Sequence, residues 1–266
     1  MRRRWFYPVG VLGIAVVAAA PLMRPVEGAI RAEDSRLYEL RVYYAAAGKL
    51  EALHARFRNH TMKLFEKHGL SNGGYFVPVG DNPQRKLVYW ITAPSKAARD
   101  KSFADFLQDP EWKKVVAETE KDGKLVERIE STFMRLTDYS PPVKLERADP
   151  PRVFELRTYT ATAGNLPALN DRFRRHTLRL FEKHGMTNIA YWNLLPDQPK
   201  ADRMLIYLLA HKSVEAARQS FEAFRQDPEW INARKASEEK AGGSLTEPKG
   251  GVVSEFLLPT DYSPLR

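Results

Sequence analysis

The chain of 266 residues has room for about two ordinary domains, and its 43% hydrophobic and 28% charged residues suit a globular protein with a buried core. It contains no cysteine, which excludes thiolate nucleophiles, disulfides and cysteine-ligated zinc or iron–sulfur centres. Of the formal charge of +9, four units belong to residues 1–32; the rest is mixed in sign, as in Glu66-Lys67 and Asp100-Lys101, and describes a solvated surface rather than a nucleic-acid groove.

Met1 to Arg4 is a basic start, and Trp5 to Met23 is an apolar run broken by Pro8 and Pro21. With the small residues Ala18, Ala19 and Ala20, this pattern predicts a secretory leader over residues 1–32, cut after Ala19, Gly28 or Ala32. The run also has the length of a membrane span, about 20 residues, so residues 5–23 are expected to anchor the chain if the leader is retained. Arg3-Arg4-Trp5-Phe6 resembles a twin-arginine signal, which leaves the export route open. Either way the protein is expected to be exported, periplasmic or extracellular, and to meet the membrane only through this segment.

Beyond the leader the chain repeats itself. Arg56-Phe57-Arg58-Asn59-His60-Thr61-Met62-Lys63-Leu64-Phe65-Glu66-Lys67-His68-Gly69 recurs at residues 172–185, with eleven of fourteen positions identical. Tyr38-Glu39-Leu40-Arg41-Val42-Tyr43 matches Phe154-Glu155-Leu156-Arg157-Thr158-Tyr159. Asp109-Pro110-Glu111-Trp112 returns at 227–230 and Thr137-Asp138-Tyr139-Ser140-Pro141 at 260–264. The copies span 37–141 and 153–264, joined by a polar, proline-bounded linker at 142–152.

Within each copy an alternating strand (Tyr38, Leu40 and Val42 on one face) leads into a helix with Leu50, Leu53, Phe57, His60 and Leu64 at 3–4 spacing, stopped by Gly69. Asn165 is the expected cap of the matching helix. Two further strands follow at 74–77 and 87–91, with counterparts at 190–192 and 204–208. Ser95 and Ser213 cap the second helix, and Asp109-Pro110 and Asp227-Pro228 restart it. A last strand covers 133–136 and 256–258. The order βαββαβ predicts an α+β fold of two tandem ferredoxin-like modules, whose bare sheet faces pack together as an intrachain dimeric α+β barrel.

The combination of Tyr-Glu-Leu-Arg-x-Tyr, Arg-Phe-x-x-His-Thr-x-x-Leu-Phe-Glu-Lys-His-Gly and a late Asp-Pro-Glu-Trp, present in both copies, resembles the NIPSNAP family. The resemblance covers nearly all of residues 37–264 and implies the dimeric α+β barrel fold. That barrel group includes cofactor-free monooxygenases, haem enzymes and plain binding proteins, and the resemblance supplies no catalytic motif.

The candidate site residues are therefore chosen on chemistry. If Tyr38 and Leu40 face the helices, then Glu39, Arg41 and Tyr43, with Glu155, Arg157 and Tyr159, face a cavity between the repeats. There they form either ion pairs that fix the pseudo-dimer or a polar ligand pocket in which arginine grips an anion. His60 and His176 sit on the apolar helical stripe, as satisfied core histidines or as a base. His68 and His184 precede the helix-ending glycine, where a cation suits the helix dipole. No phosphate loop, G-x-S-x-G or H-E-x-x-H occurs. The expectation is a ligand-binding or interaction module with no metal and no cofactor, haem being the alternative. Its partner is a small molecule or protein, not nucleic acid, and further homo-oligomers remain open. The competing expectation is a cofactor-independent monooxygenase or isomerase that uses the inter-repeat cavity.

Overall fold

A computed structural model describes residues 34–266 together with Met1. The expected leader lies outside the described residues, and among those no helix is long and apolar enough to cross a membrane.

The first repeat runs β1 (Leu37–Ala45), α1 (Leu50–Arg56), a π-helical turn (Phe57–Thr61), α2 (Met62–Lys67), β2 (Ser71–Pro78), β3 (Lys86–Ala93), α3 (Lys96–Gln108), α4 (Pro110–Thr119) and β4 (Val126–Leu136). The second follows the same order: β5 (Val153–Thr160), α5 (Leu166–Arg172), a π turn (Phe173–Thr177), α6 (Leu178–Lys183), β6 (Thr187–Leu194), β7 (Met204–His211), α7 (Val214–Gln226), α8 (Pro228–Ala241) and β8 (Val252–Pro259). Ser95 and Ser213 each accept a backbone N–H three residues on at 3.1 Å, as N-caps should. Asp109 and Asp227 cap the restarted helices by accepting from Glu111 N and Glu229 N. Asn165 stands at the start of α5, but its side chain donates to Thr162 Oγ1 rather than capping the helix.

Each repeat forms a four-stranded antiparallel sheet with β1 or β5 near its centre; Leu40 lies opposite Trp90 and Thr132, and Leu156 opposite Leu208 and Glu255. The edges then join across the repeats, β2 to β8 and β4 to β6, and close an eight-stranded barrel in the order β1-β3-β2-β8-β5-β7-β6-β4. Closure removes the open strand edges that a lone ferredoxin-like sheet would expose.

The barrel interior is apolar. Tyr38, Phe76, Trp90, Phe154 and Trp192 meet there, with ring centroids of Phe76 and Phe154 4.9 Å apart and those of Trp90 and Trp192 6.0 Å apart. The repeats fill it differently. Trp90 lies so close to Gly73 and Gly74 that a Cβ at either position would strike its indole or the Phe76 ring, whereas repeat 2 sets Leu208 against Ile189 and Ala190. A smaller residue in place of the indole leaves room for side chains where repeat 1 has glycines. Val143 of the linker and Leu265 of the C-terminal tail pack on the same cluster. Only about 10 Å³ remains among Leu40, Phe76, Trp90, Leu156 and Trp192, at or below what one water needs.

The Thr-Asp-Tyr-Ser-Pro motif that ends each repeat docks on the other repeat. Backbone N–H of Thr260 donates to Tyr75 O, Ser263 Oγ accepts from Tyr75 N, and Tyr262 OH meets His54 Nδ1 at 2.8 Å. Asp261 accepts two hydrogen bonds from Arg58, at 2.6 and 2.7 Å. The mirror set joins Thr137 and Ser140 to Tyr191, Tyr139 OH to Asn170 Oδ1 at 2.8 Å, and Asp138 to Arg174. The motif is a reciprocal clasp, and the arginines it uses come from the longest repeated segment.

The clasp and the helix caps give stability a defined pH dependence. Arg58 holds the Asp261 carboxyl below its usual range, Arg174 does so for Asp138, and Lys67 and His68 do so for Asp109. Burial, opposed by Glu51 and Asp261, holds His54 below its ordinary value. All are depressed in the folded state, so each contribution is present above the group's unfolded value and is lost as pH falls. Thermal melting should show a shallow loss of stability below about pH 6.5 from His54 and a steeper one below about pH 4 from the carboxylates. His54→Asn, which copies Asn170, is expected to keep the tyrosine bond and abolish only the shallow step. An unchanged step in that variant would assign it elsewhere.

Candidate functional site

Strand alternation divides the residues of β1 correctly into two faces, but the faces are reversed from expectation. Tyr38, Leu40 and Val42 point into the barrel; Glu39, Arg41 and Tyr43 point outward beneath the helices. Glu155, Arg157 and Tyr159 do the same in repeat 2. The cause is the difference in partners offered by the two sides. The barrel interior receives apolar side chains from all eight strands, whereas the helix-covered face offers ion and hydroxyl partners to a buried carboxylate.

Those partners saturate the cluster. Glu39, 1% exposed, accepts from Arg99 Nε at 2.6 Å, Arg99 Nη2 at 2.7 Å, Ser131 Oγ at 2.6 Å and Arg41 Nη1. Arg41 also donates to Tyr89 OH at 3.0 Å and Tyr43 OH at 3.1 Å and lies over the Phe103 ring. Burial opposes the Arg41 charge, but Tyr89, Tyr43 and Glu39 together hold its pKa above the ordinary value. In repeat 2, Arg157 again bonds Glu155, Tyr207 and Tyr159, and Ser254 replaces Ser131. The second partner differs. Ala217 occupies the place of Arg99, and His211, in the place of Ala93, reaches Glu155 Oε2 at 3.1 Å. Burial raises the Glu155 pKa, and His211 and Arg157 outweigh it, leaving the carboxyl below its usual range. The two repeats thus supply the equivalent buried glutamates with a second partner from different elements, a helix in one and a strand in the other.

His60 and His176 are half-buried and lie off the core stripe. The π turn explains this. It adds a residue to the helical turn, so Thr61 and Thr177 take the inward position, each donating to the carbonyl five residues back (Arg56 and Arg172) at 3.2 Å. Periodicity of 3.6 does not anticipate such an insertion, and it passes over His54, the buried histidine of α1. His68 and His184 bond the N-cap aspartates Asp109 and Asp227 at 2.7 and 2.8 Å, fastening α2 to α4 and α6 to α8.

The open volume lies elsewhere, beneath α8. This helix has 14 residues and none of them is buried, whereas α4 has ten and buries Val115. Between α5 and α8 a cleft of about 700 Å³ is lined by Ala168, Arg172, Arg175, His176, Ala233 and Lys240, among others. A second hollow of about 300 Å³ has an aromatic wall of Tyr159, Phe173, Phe224 and Trp230. Arg172, only 6% exposed, lines both. Of the residues selected from sequence, His176 lines the first hollow and Tyr159 the second; the rest of the Glu-Arg-Tyr sets lie apart from them. Arg172 itself stands in the repeated Arg-Phe motif, but only the comparison of α4 with α8 distinguishes it from Arg56. Among the described residues no group of three or more histidine and acidic side chains is placed to hold a metal ion.

A barrel of two fused ferredoxin-like halves with helices outside is a dimeric α+β barrel closed within one chain. The sequence profile of the NIPSNAP family matches residues 38–141 and 154–264, and the chain belongs to that family. Among solved structures, an uncharacterized NIPSNAP-like domain protein from Burkholderia xenovorans is 19% identical over 41% of this chain and 92% of its own, with a TM-score of 0.36. A NIPSNAP family protein with unknown function from Agrobacterium tumefaciens is 23% identical over 40% and 92%, with a TM-score of 0.35. A putative monooxygenase from Fusobacterium nucleatum covers both repeats, 85% of this chain and 92% of its own, at 11% identity and a TM-score of 0.51, which is a likeness of fold. The comparison with curated proteins returns no match.

Proposed function

We propose that this NIPSNAP protein is a ligand-binding module of the cell envelope, exported or anchored through residues 5–23, whose binding surface is the α5–α8 cleft rather than the barrel interior. The observation that carries this reading is the distribution of space: about 10 Å³ inside the barrel against about 700 Å³ beneath α8. A monooxygenase or isomerase acting between the repeats needs a substrate-sized cavity there, and small-molecule sites occupy about 300–1,000 Å³. A haem inside the barrel meets the same obstacle. The polar residues that an inter-repeat enzyme would employ are instead consumed by buried ion pairs. The reading also draws on the leader pattern of residues 1–32.

Native against denaturing mass spectrometry of the protein recovered from its envelope fraction tests this. A discrete non-covalent mass lost on denaturation is the expected result, and the denatured mass reports whether the leader is cut. Turnover of members of a broad small-molecule panel by the purified protein would overturn the binding-module reading.

A further inference from the structure

We propose that the α5–α8 cleft is a site for a small organic anion, a carboxylate with a compact apolar body whose charge is taken up by Arg172. The inference rests on the binding-module reading and gives it a ligand class. It comes from comparing the two repeats position by position, since the first serves as an internal reference for the second.

In repeat 1, Arg56 is neutralised: Nη1 donates to Glu120 Oε1 at 2.7 Å, and the guanidinium lies 5.3 Å from the Trp112 ring centroid. In repeat 2, Arg172 is equally buried and lies 5.2 Å from Trp230, but Glu238, the counterpart of Glu120, is 3.6 Å away and Ser237 Oγ 3.5 Å away. The longer α8 causes the difference. Glu120 follows the last residue of α4 and turns in, while Glu238 remains within a helix that continues to Ala241 and ends at Gly242. Nε has no hydrogen-bond partner among the described residues in either arginine, so the repeats differ at Nη1. Burial, only partly countered by Glu238, holds the Arg172 pKa below its ordinary value, the direction for a desolvated cation short of counter-charge.

The surroundings have changed in the same sense. Val115, buried in α4 of repeat 1, is replaced by Ala233, and Thr119 by Ser237, which opens the space. The cleft lining carries Arg172, Arg175 and Lys240 against Asp171. The matching positions of repeat 1 carry Lys49 and Arg56 against Glu51, Glu118 and Asp122. The lining therefore goes from one net negative charge to two net positive. Asp171 is engaged by Arg175 at 2.8 Å and Glu238 by Arg234 Nε at 3.3 Å, so Arg172, with Glu238 at 3.6 Å, and Lys240 face an incoming anion. Pro167, Ala168, Ala233 and Ala236 supply small apolar contacts beside them. A buried arginine with spare donors binds a carboxylate bidentately, and the small side chains accept a hydrocarbon body.

Isothermal titration of the full chain with octanoate, its neutral analogue octanamide and inorganic phosphate tests the site. Octanoate should bind at least tenfold more tightly than octanamide, and Arg172→Met should remove that preference while leaving octanamide unchanged. Arg56→Met, where the arginine is already ion-paired to Glu120, should leave octanoate binding unaltered. Because Arg172 is buried, a second variant guards against misfolding. Ala233→Val combined with Lys240→Asp restores repeat-1 side chains, should retain the melting temperature, and should lower octanoate affinity tenfold or more. No octanoate binding, equal binding of octanoate and octanamide, binding of phosphate alone, or octanoate binding indifferent to both cleft variants would each overturn the proposal. A co-purifying ligand that the cleft variants release but that carries no carboxylate would overturn it while leaving the binding-module reading in place; a ligand indifferent to the cleft variants would overturn both.

Discussion

Replacement of Glu39 by alanine is expected to destabilise the protein by about 3–5 kcal/mol, the cost of leaving the buried Arg41 without its counter-charge. Arg41 and Arg99 both aim at this carboxylate; Arg99 also reaches Asp100 at 3.2 Å, but Arg41 is 5% exposed and among the described residues is ion-paired to Glu39 alone. The second repeat offers a control that ordinary mutagenesis lacks. Arg99→Ala alone should be costly, because Glu39 loses its bidentate partner. Combining it with Ala93→His recreates the His211 and Ala217 arrangement that serves Glu155. The double variant is expected to recover at least about 1 kcal/mol relative to Arg99→Ala, a coupling of the size seen between contacting residues. Urea unfolding of the three variants measures this. A double variant no more stable than Arg99→Ala would show that the two partner placements are not interchangeable.

Truncation of Trp192 to alanine should cost about 3–5 kcal/mol, since the side chain is 2% exposed and the barrel around it has almost no free volume into which to relax. Its ring contacts Tyr38 and Trp90, drawn from two strands of the other repeat, so the loss falls on the contact between the halves. The void would be apolar and dry, and a small arene such as benzene should bind there and raise the melting temperature of this variant alone. Trp192→Phe tests the other side of the packing. The indole Nε1 is buried with no hydrogen-bond partner among the described residues, and phenylalanine removes that orphaned donor at the expense of a smaller void. The two effects oppose each other, and the net change is expected within about 1.5 kcal/mol. Equal destabilisation by Ala and Phe would mean that the ring is not packed as described.

The clasp illustrates what repetition alone conveys. Thr-Asp-Tyr-Ser-Pro and Arg-Phe-Arg stand out because they recur, yet nothing in either string says that Asp261 meets Arg58 or that Asp138 meets Arg174. That pairing exists only because closure of the barrel brings the end of one repeat onto the first helix of the other. The histidines show a related limit. The fourteen-residue segment predicts one continuous 3.6-period helix, and the π turn at Phe57–Thr61 then rotates His60 off the stripe, a one-residue effect that average periodicity cannot register.

By itself, the sequence determined the repeat, the βαββαβ order, the helix caps at Ser95, Ser213, Asp109 and Asp227, and hence the barrel, because these depend on local pattern and on the need to cover a bare sheet face. Tertiary structure alone decided which face of β1 is inside, how Glu39 and Glu155 are neutralised, and where space remains. Alternation defines two faces but not what covers each. The assignment follows from long-range partners, Arg99 and Ser131 for one glutamate and His211 and Ser254 for the other, that lie up to 99 residues away. The cleft is a further step removed, since it arises from a few extra helical residues in α8 and the loss of one buried valine, changes whose consequence appears only when the elements are packed.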